Sequence, residues 1–254
     1  MKLTFLGTGT STGVPTIGCS CNVCKSDDPR DHRLRSSALL SVGGKNLLID
    51  CGPDFRQQIL SVGSPELRAL LITHYHYDHV GGIDDLRPYC GENGFDVYCR
   101  EDVDRNLRMI VPYCYIEHPY PGAPTFNNHI ISQMQSFDID GIEILPLPVK
   151  HFQLDILGFR IGNLAYITDA KVIPDETIEA VRGVDTLVIN ALRHKEHFSH
   201  MSLSDALAAI RAIKPRVAYL IHMSHDYGLH AEVEPQLPEG VHTAYDGLTI
   251  EIPN

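Results

Sequence analysis

Residues 70–82, Leu-Leu-Ile-Thr-His-Tyr-His-Tyr-Asp-His-Val-Gly-Gly, constrain this chain more than any other stretch. Leu70, Leu71 and Ile72 form an apolar run with strand character, and His74, His76, Asp78 and His79 follow within six positions. Side chains alternate along an extended segment, so His74 and His76 point the same way and can meet one cation. A turn into a helix beyond them swings Asp78 and His79 towards a second cation beside the first. A rigid strand with an open end is what a metal platform requires. A polar turn explains any one of these residues, but not four potential ligands together.

The surrounding composition is that of a globular protein: 254 residues, 43% hydrophobic and 21% charged. That allows a sizeable core, and with no linker, repeat or low-complexity segment the expected organisation is one domain over residues 1–254. No apolar run approaches the ~20 residues of a membrane helix. The chain starts directly in a strand-like pattern without a secretory signature, so the expected compartment is the cytoplasm. A formal net charge of −11 weighs against nucleic acid as a partner. It leaves room for a small anionic substrate, because bound cations make one pocket locally positive.

Seven cysteines are an odd number, and Cys19, Cys21 and Cys24 crowd into six residues. In an intracellular chain such a trio favours metal over disulfides. Three thiolates hold one zinc tetrahedrally if a fourth ligand arrives from elsewhere, and several unassigned histidines are available. A closed site of that kind is structural and pins the loop 16–35. Cys51 reads as a core thiol or a residue near the site, not a ligand.

Elsewhere, residues 36–42 and 46–50 predict a hairpin around Gly43-Gly44, followed by a helix over 54–60. The glycines of 7–13 match neither a dinucleotide fingerprint nor a P-loop and read as a tight loop approaching the site. A strand at 95–99 and a helix at 101–110 precede loop-like sequence to 128. Strands are expected at 141–150, 155–161, 164–167, 185–190 and 217–221, a helix at 174–182, and a closing strand near 248–252. Ser202 and Asp205 form a capping box ahead of another helix. Periodicity alone gives mixed α and β.

The order His-x-His-x-Asp-His, with Asp50-Cys51-Gly52 at an earlier strand end, resembles the metallo-β-lactamase superfamily. The resemblance implies an α/β (α+β) fold, the αββα four-layer sandwich. It places Asp50 behind the metal site, orienting ligands. It also makes ligands of His151, Asp169 and His222, which alone read as turn residues. One divalent ion falls to His74, His76 and His151 and the other to Asp78, His79 and His222, with Asp169 shared. This N/O set suits zinc, manganese or iron. Two ions ~3.5–4 Å apart share a hydroxide nucleophile suited to phosphodiester hydrolysis.

Cys19-x-Cys21-x2-Cys24 and His222-x2-His225, with Gly13-Val14-Pro15 and Asp246-Gly247, resemble the cyclic phosphodiesterases of the carbon–phosphorus lyase pathway. That family implies a structural zinc completed by His225 and a homodimer. Its small substrate is 5-phosphoribosyl 1,2-cyclic phosphate, with substrate contacts falling in residues 88–128. Asp78 and His200 become the catalytic candidates, His200 binding phosphate or protonating the leaving alkoxide, with His197 and His194 as its competitors. The alternatives are a ribonuclease Z-like phosphodiesterase, a glyoxalase-type thioester hydrolase and a non-catalytic metal-binding protein.

Overall fold

The computed structural model describes residues 1–118 and 120–253. Pro119, inside the expected loop, and Asn254 lie outside the described residues. The first half of the chain forms β1 (Lys2–Gly7), β2 (Ser37–Val42), β3 (Lys45–Ile49), α1 (Phe55–Ser61), β4 (Ala69–Leu71), α2 (Tyr77–Val80), β5 (Phe95–Cys99), α3 (Glu101–Ile110) and β6 (Phe126–Ile130). The second half forms β7 (Phe137–Ile139), β8 (Ile142–His151), β9 (Leu154–Ile161), β10 (Leu164–Ile167), α4 (Asp175–Ala180) and β11 (Thr186–Asn190). It continues through α5 (Leu203–Ile213), β12 (Val217–Ile221), α6 (His230–Val233) and β13 (Val241–Thr243). Finally β14 (Thr249–Glu251) returns to the first sheet beside β1.

Two seven-stranded sheets result, ordered β14-β1-β2-β3-β4-β5-β6 and β13-β12-β11-β10-β9-β8-β7. In the first, pairing is antiparallel from β14 to β3 and parallel from β3 to β6. In the second, it is antiparallel from β7 to β10 and parallel from β10 to β13. Strands β8, β10, β11 and β12 therefore run one way and end on one edge, as β3 and β4 do in the other sheet.

Side-chain alternation explains the layers. Leu47, Ile49 and Leu71 face Leu157, Phe159 and Val188 between the sheets, while Leu48 and Leu70 face Phe55, Ile59, Val103 and Leu107 of α1 and α3. On the other side Leu187 and Ile189 pack under Ala206 and Ile213 of α5. Strands buried on both faces read as continuous apolar runs. The result is the expected αββα sandwich.

The hairpin turn is built as read: Gly43 and Gly44 take φ of 57° and 76°, the left-handed pair of a two-residue turn. The capping box at Ser202 and Asp205 is also present. The sequence reading missed β6, β7, β13 and α6. Only Phe126 of β6 is buried, and this strand, like β7 and β13, lies at a sheet edge where little apolar pattern is needed. Residues Pro112–Cys114, read as loop, form a single 3-10 turn.

Two close backbone approaches place the site. A Cβ on Gly52 would lie 2.1 Å from the Asp78 carbonyl oxygen, so α2 packs directly on the chain leaving β3. The Cys51 N–H donates to the His79 carbonyl (2.8 Å) and the Gly82 N–H to that of Cys51 (2.9 Å). The N-terminal glycine loop is laced to the end of β12 by the Met223 N–H donating to Thr8 O (3.0 Å). Asp246 holds that loop, accepting from the Thr8 N–H and hydroxyl and the Leu34 N–H at 2.8, 2.7 and 2.6 Å. No helix among the described residues is long and apolar enough to cross a membrane.

Candidate metal centre

The strand ends converge across the two sheets. The segment after β4 contributes His74, His76, Asp78 and His79. His151 is the last residue of β8, Asp169 lies two beyond β10, and His222 follows β12. Ligand atoms of His74, His76 and His151 lie within 4.8 Å of one another, and so do those of Asp78, His79, Asp169 and His222. Asp169 joins the two groups. Its Oδ1 is 3.4 Å from His79 Nε2, and its Oδ2 is 3.1 Å from His222 Nε2 and 3.9 Å from His74 Nε2. Asp78 Oδ2 stands 3.3 Å from His79 Nε2 and 3.6 Å from His222 Nε2. Asp50, Asp169 and His222 all adopt left-handed φ, at 59°, 56° and 58°. That region is strained for residues other than glycine, and here the bend comes where the chain leaves a strand for the site.

Hydrogen bonds behind the site fix which nitrogen faces it. The His79 Nδ1–H donates to Asp50 Oδ2 at 2.7 Å. The Thr73 hydroxyl donates to the same carboxylate (2.9 Å to Oδ2) and is left to accept from His74 Nδ1 at 3.0 Å. His151 Nδ1 donates to the Ser199 carbonyl at 2.9 Å. In each ring Nε2 is thereby turned inward. The buried Nε2 atoms of His74, His79 and His222 have no hydrogen-bond partner, a costly state unless something else uses their lone pairs.

Charge points the same way. Burial opposes ionisation of Asp169, but His222 and His79 beside it hold its carboxyl well below the usual range. Burial likewise opposes charge on His222, yet Asp169 and Asp78 push this ring up to about 9. Two carboxylates thus demand positive charge where the orphaned nitrogens point. Burial first, then the neighbouring His79, push the His74 ring well below its ordinary value. The residues fit divalent cations held by nitrogen and oxygen.

A second cluster lies apart from the first. His225 Nδ1 is 3.2 Å from Cys19 Sγ, 3.4 Å from Cys21 Sγ and 3.6 Å from Cys24 Sγ. Zn–S bonds of ~2.3 Å and Zn–N bonds of ~2.1 Å give a tetrahedral S···N edge of about 3.6 Å. The four residues fit that geometry. Backbone N–H groups of Thr16 and Cys24 reach Cys24 Sγ (3.3 Å) and Cys21 Sγ (3.4 Å). The Cys24 N–H is the main reason the Cys21 thiol is pushed down to about 6. Cys51 is a fully buried core thiol, as read.

Of the three loop histidines, His200 reaches the centre. Its ring lies 4.5 Å from that of His151 and 4.8 Å from that of His222, with Nδ1 3.9 Å from Asp169 Oδ2. His194 is tied to the Tyr227 carbonyl (2.9 Å), and His197 to the Ser199 hydroxyl (3.2 Å). Burial first, then His222, hold His200 down to about 3. Thr73 and Ser199 are the positioning residues that sequence reasoning missed.

Residues 45–223 match the profile of the Beta-lactamase superfamily domain. The chain is 39% identical to a diphosphatase of the PhnP family, whose crystal structure superposes with a TM-score of 0.92 over 98% of this chain and 96% of that one. It is 43% identical over 250 residues to the octanoyltransferase of Porphyromonas gingivalis, covering 98% of this chain and 51% of that protein. It is 30% identical over 168 residues to the ribonuclease Z of Acaryochloris marina, covering 63% of this chain and 47% of that protein. The chain spans about half the length of these two curated relatives. Profile, superposition and identity agree: the chain belongs to the PhnP family, within the metallo-β-lactamase superfamily of metal-dependent hydrolases.

Proposed function

We propose that the chain hydrolyses a small cyclic phosphodiester, with 5-phosphoribosyl 1,2-cyclic phosphate as the representative substrate. The supporting observation is the joining of two ligand groups through Asp169, beside a separate cysteine cluster. His74, His76 and His151 would hold one divalent cation, Asp78, His79 and His222 the other, with Asp169 shared; zinc and manganese both suit these donors. When bound, the pair supplies activation of water and stabilises charge on the attacking and leaving oxygens. Cys19, Cys21, Cys24 and His225 would hold a structural zinc.

His200 supplies the proton. The negative charge of an arriving phosphodiester beside its ring favours the protonated form. A proton taken from solvent water onto the ring would then pass from His200 to the departing alkoxide. His200→Ala should cost about 10²-fold or more in kcat on an alkoxide-leaving substrate. On bis(p-nitrophenyl) phosphate, whose leaving group needs no proton, the loss should be small. Equal losses would assign His200 to phosphate binding instead.

A panel of cyclic ribose phosphates, nucleoside cyclic phosphates, dinucleoside diphosphates, precursor tRNA and thioesters tests the substrate class, with the highest kcat/KM expected on a cyclic phosphodiester. A preference for tRNA would transfer the chain to the ribonuclease Z reading, which the 30% identity favours and the net charge of −11 opposes. The diphosphatase relative motivates the diphosphate arm, and the glyoxalase-type alternative the thioester arm. Full metal loading without turnover on any member would leave a metal-binding protein.

A further inference from the structure

Two phenylalanines stand in the open at the mouth of the centre. Phe152 is 56% exposed and Phe198 70% exposed. Their ring centroids are 5.6 Å apart and the planes cross at 86°. With Tyr75, His76 and His151 they line a cavity of about 350 Å³. The cavity is therefore continuous with two of the residues assigned to the first cation.

Neither phenylalanine is explained by packing or turn chemistry. Phe152 has a φ of 54° in the short connection between β8 and β9. A glycine or asparagine suits that left-handed position, and a bulky ring is strained there. The bond from His151 Nδ1 to the Ser199 carbonyl ties the two segments together at 2.9 Å. Phe152 is one residue after His151 and Phe198 one before Ser199, so the same bond sets the rings against each other. The His197 ring backs Phe198 at 4.5 Å. Strain and exposed apolar surface are thus spent at one spot beside the reacting centre, a pattern that marks a binding function.

We infer that Phe152 and Phe198 form a stacking corner for a planar heteroaromatic ring, such as a nucleobase, carried by the substrate whose phosphodiester lies at the metal centre. The inference rests on the phosphodiesterase reading and narrows it to cyclic phosphodiesters that carry a base, which 5-phosphoribosyl 1,2-cyclic phosphate does not. Two perpendicular rings suit a third: a ring stacked on one meets the other edge-on, and both arrangements are favourable. The cavity falls at the lower end of ligand pockets, ~300–1,000 Å³, enough for a base with part of its sugar.

The test compares adenosine 2′,3′-cyclic phosphate with a ribose cyclic phosphate lacking the base, using the metal-loaded protein. Phe152→Ala and Phe198→Ala should each raise KM for the nucleoside substrate about three- to tenfold, leaving kcat and the base-free substrate unchanged. Phe198→Tyr should restore affinity. Phe152→Gly should give the same rise in KM with a Tm at or above the parent's, because it relieves the left-handed strain. Equal effects on both substrates, or a lower Tm for Phe152→Gly, would make the pair structural and overturn the inference. Calorimetric binding of AMP and ribose 5-phosphate separates this from failure of the phosphodiesterase reading. If no diester is turned over, AMP binding that weakens in the alanine variants still supports the corner. AMP binding no tighter than ribose 5-phosphate removes it.

Discussion

Asp169→Ala is expected to lower kcat/KM on a cyclic phosphodiester by about 10³-fold or more, several kcal/mol of lost charge stabilisation. Asp169 is the side chain within reach of His74, His79 and His222 together, at 3.9, 3.4 and 3.1 Å. Removing it leaves crowded imidazoles without the anion that offsets cations placed among them. The His/Asp cluster should bind two ions in the parent and fewer in the variant by elemental analysis, while the cysteine cluster keeps its zinc as an internal control. Asp169→Asn separates charge from shape and should behave like the alanine variant. Parental rates with full metal content in either variant would remove Asp169 as the shared ligand.

The second large effect concerns stability. Cys24→Ala should release the structural zinc and lower Tm by about 5–10 °C, taking roughly 2–4 °C per kcal/mol for a chain of this size. The residues around the cysteines bury little apolar surface: their cluster consists of Val14, Val23 and Cys24 with Cys19 and Leu229 against them, and Ile17 is 97% exposed. One ion there would join positions 201 residues apart, from Cys24 to His225. Calorimetry and zinc content read the result. A loss of activity as great as that of Asp169→Ala, with the His/Asp cluster fully loaded, would move the cysteines into the chemistry.

How far the sequence was legible depended on how local each signal was. Leu70–Ile72 and the ligands behind them are a strand and its end, visible within ten residues. His151, Asp169 and His222 are single residues after strands, and nothing local marks them as partners; resemblance supplied them before the fold joined them. The cysteines announced a metal site but left its fourth ligand open among several histidines, because residues 201 positions apart meet only in three dimensions. Thr73 acts through a hydroxyl relay, and Ser199 through its backbone carbonyl, which no side-chain pattern encodes. Strand β6, Phe-Asn-Asn-His-Ile, stayed hidden because an edge strand with one buried side chain lacks the alternation that betrays a strand. Nothing local in the sequence marks Phe152 and Phe198 as neighbours, because they meet only where the turn after β8 lies against the loop before α5.

Asp50, the carboxylate behind the centre, accepts directly from His79 and, through the Thr73 hydroxyl, orders His74. One buried group therefore sets a ring in each half of the centre. A substitution at Asp50 would therefore disturb the ligands of both halves at once.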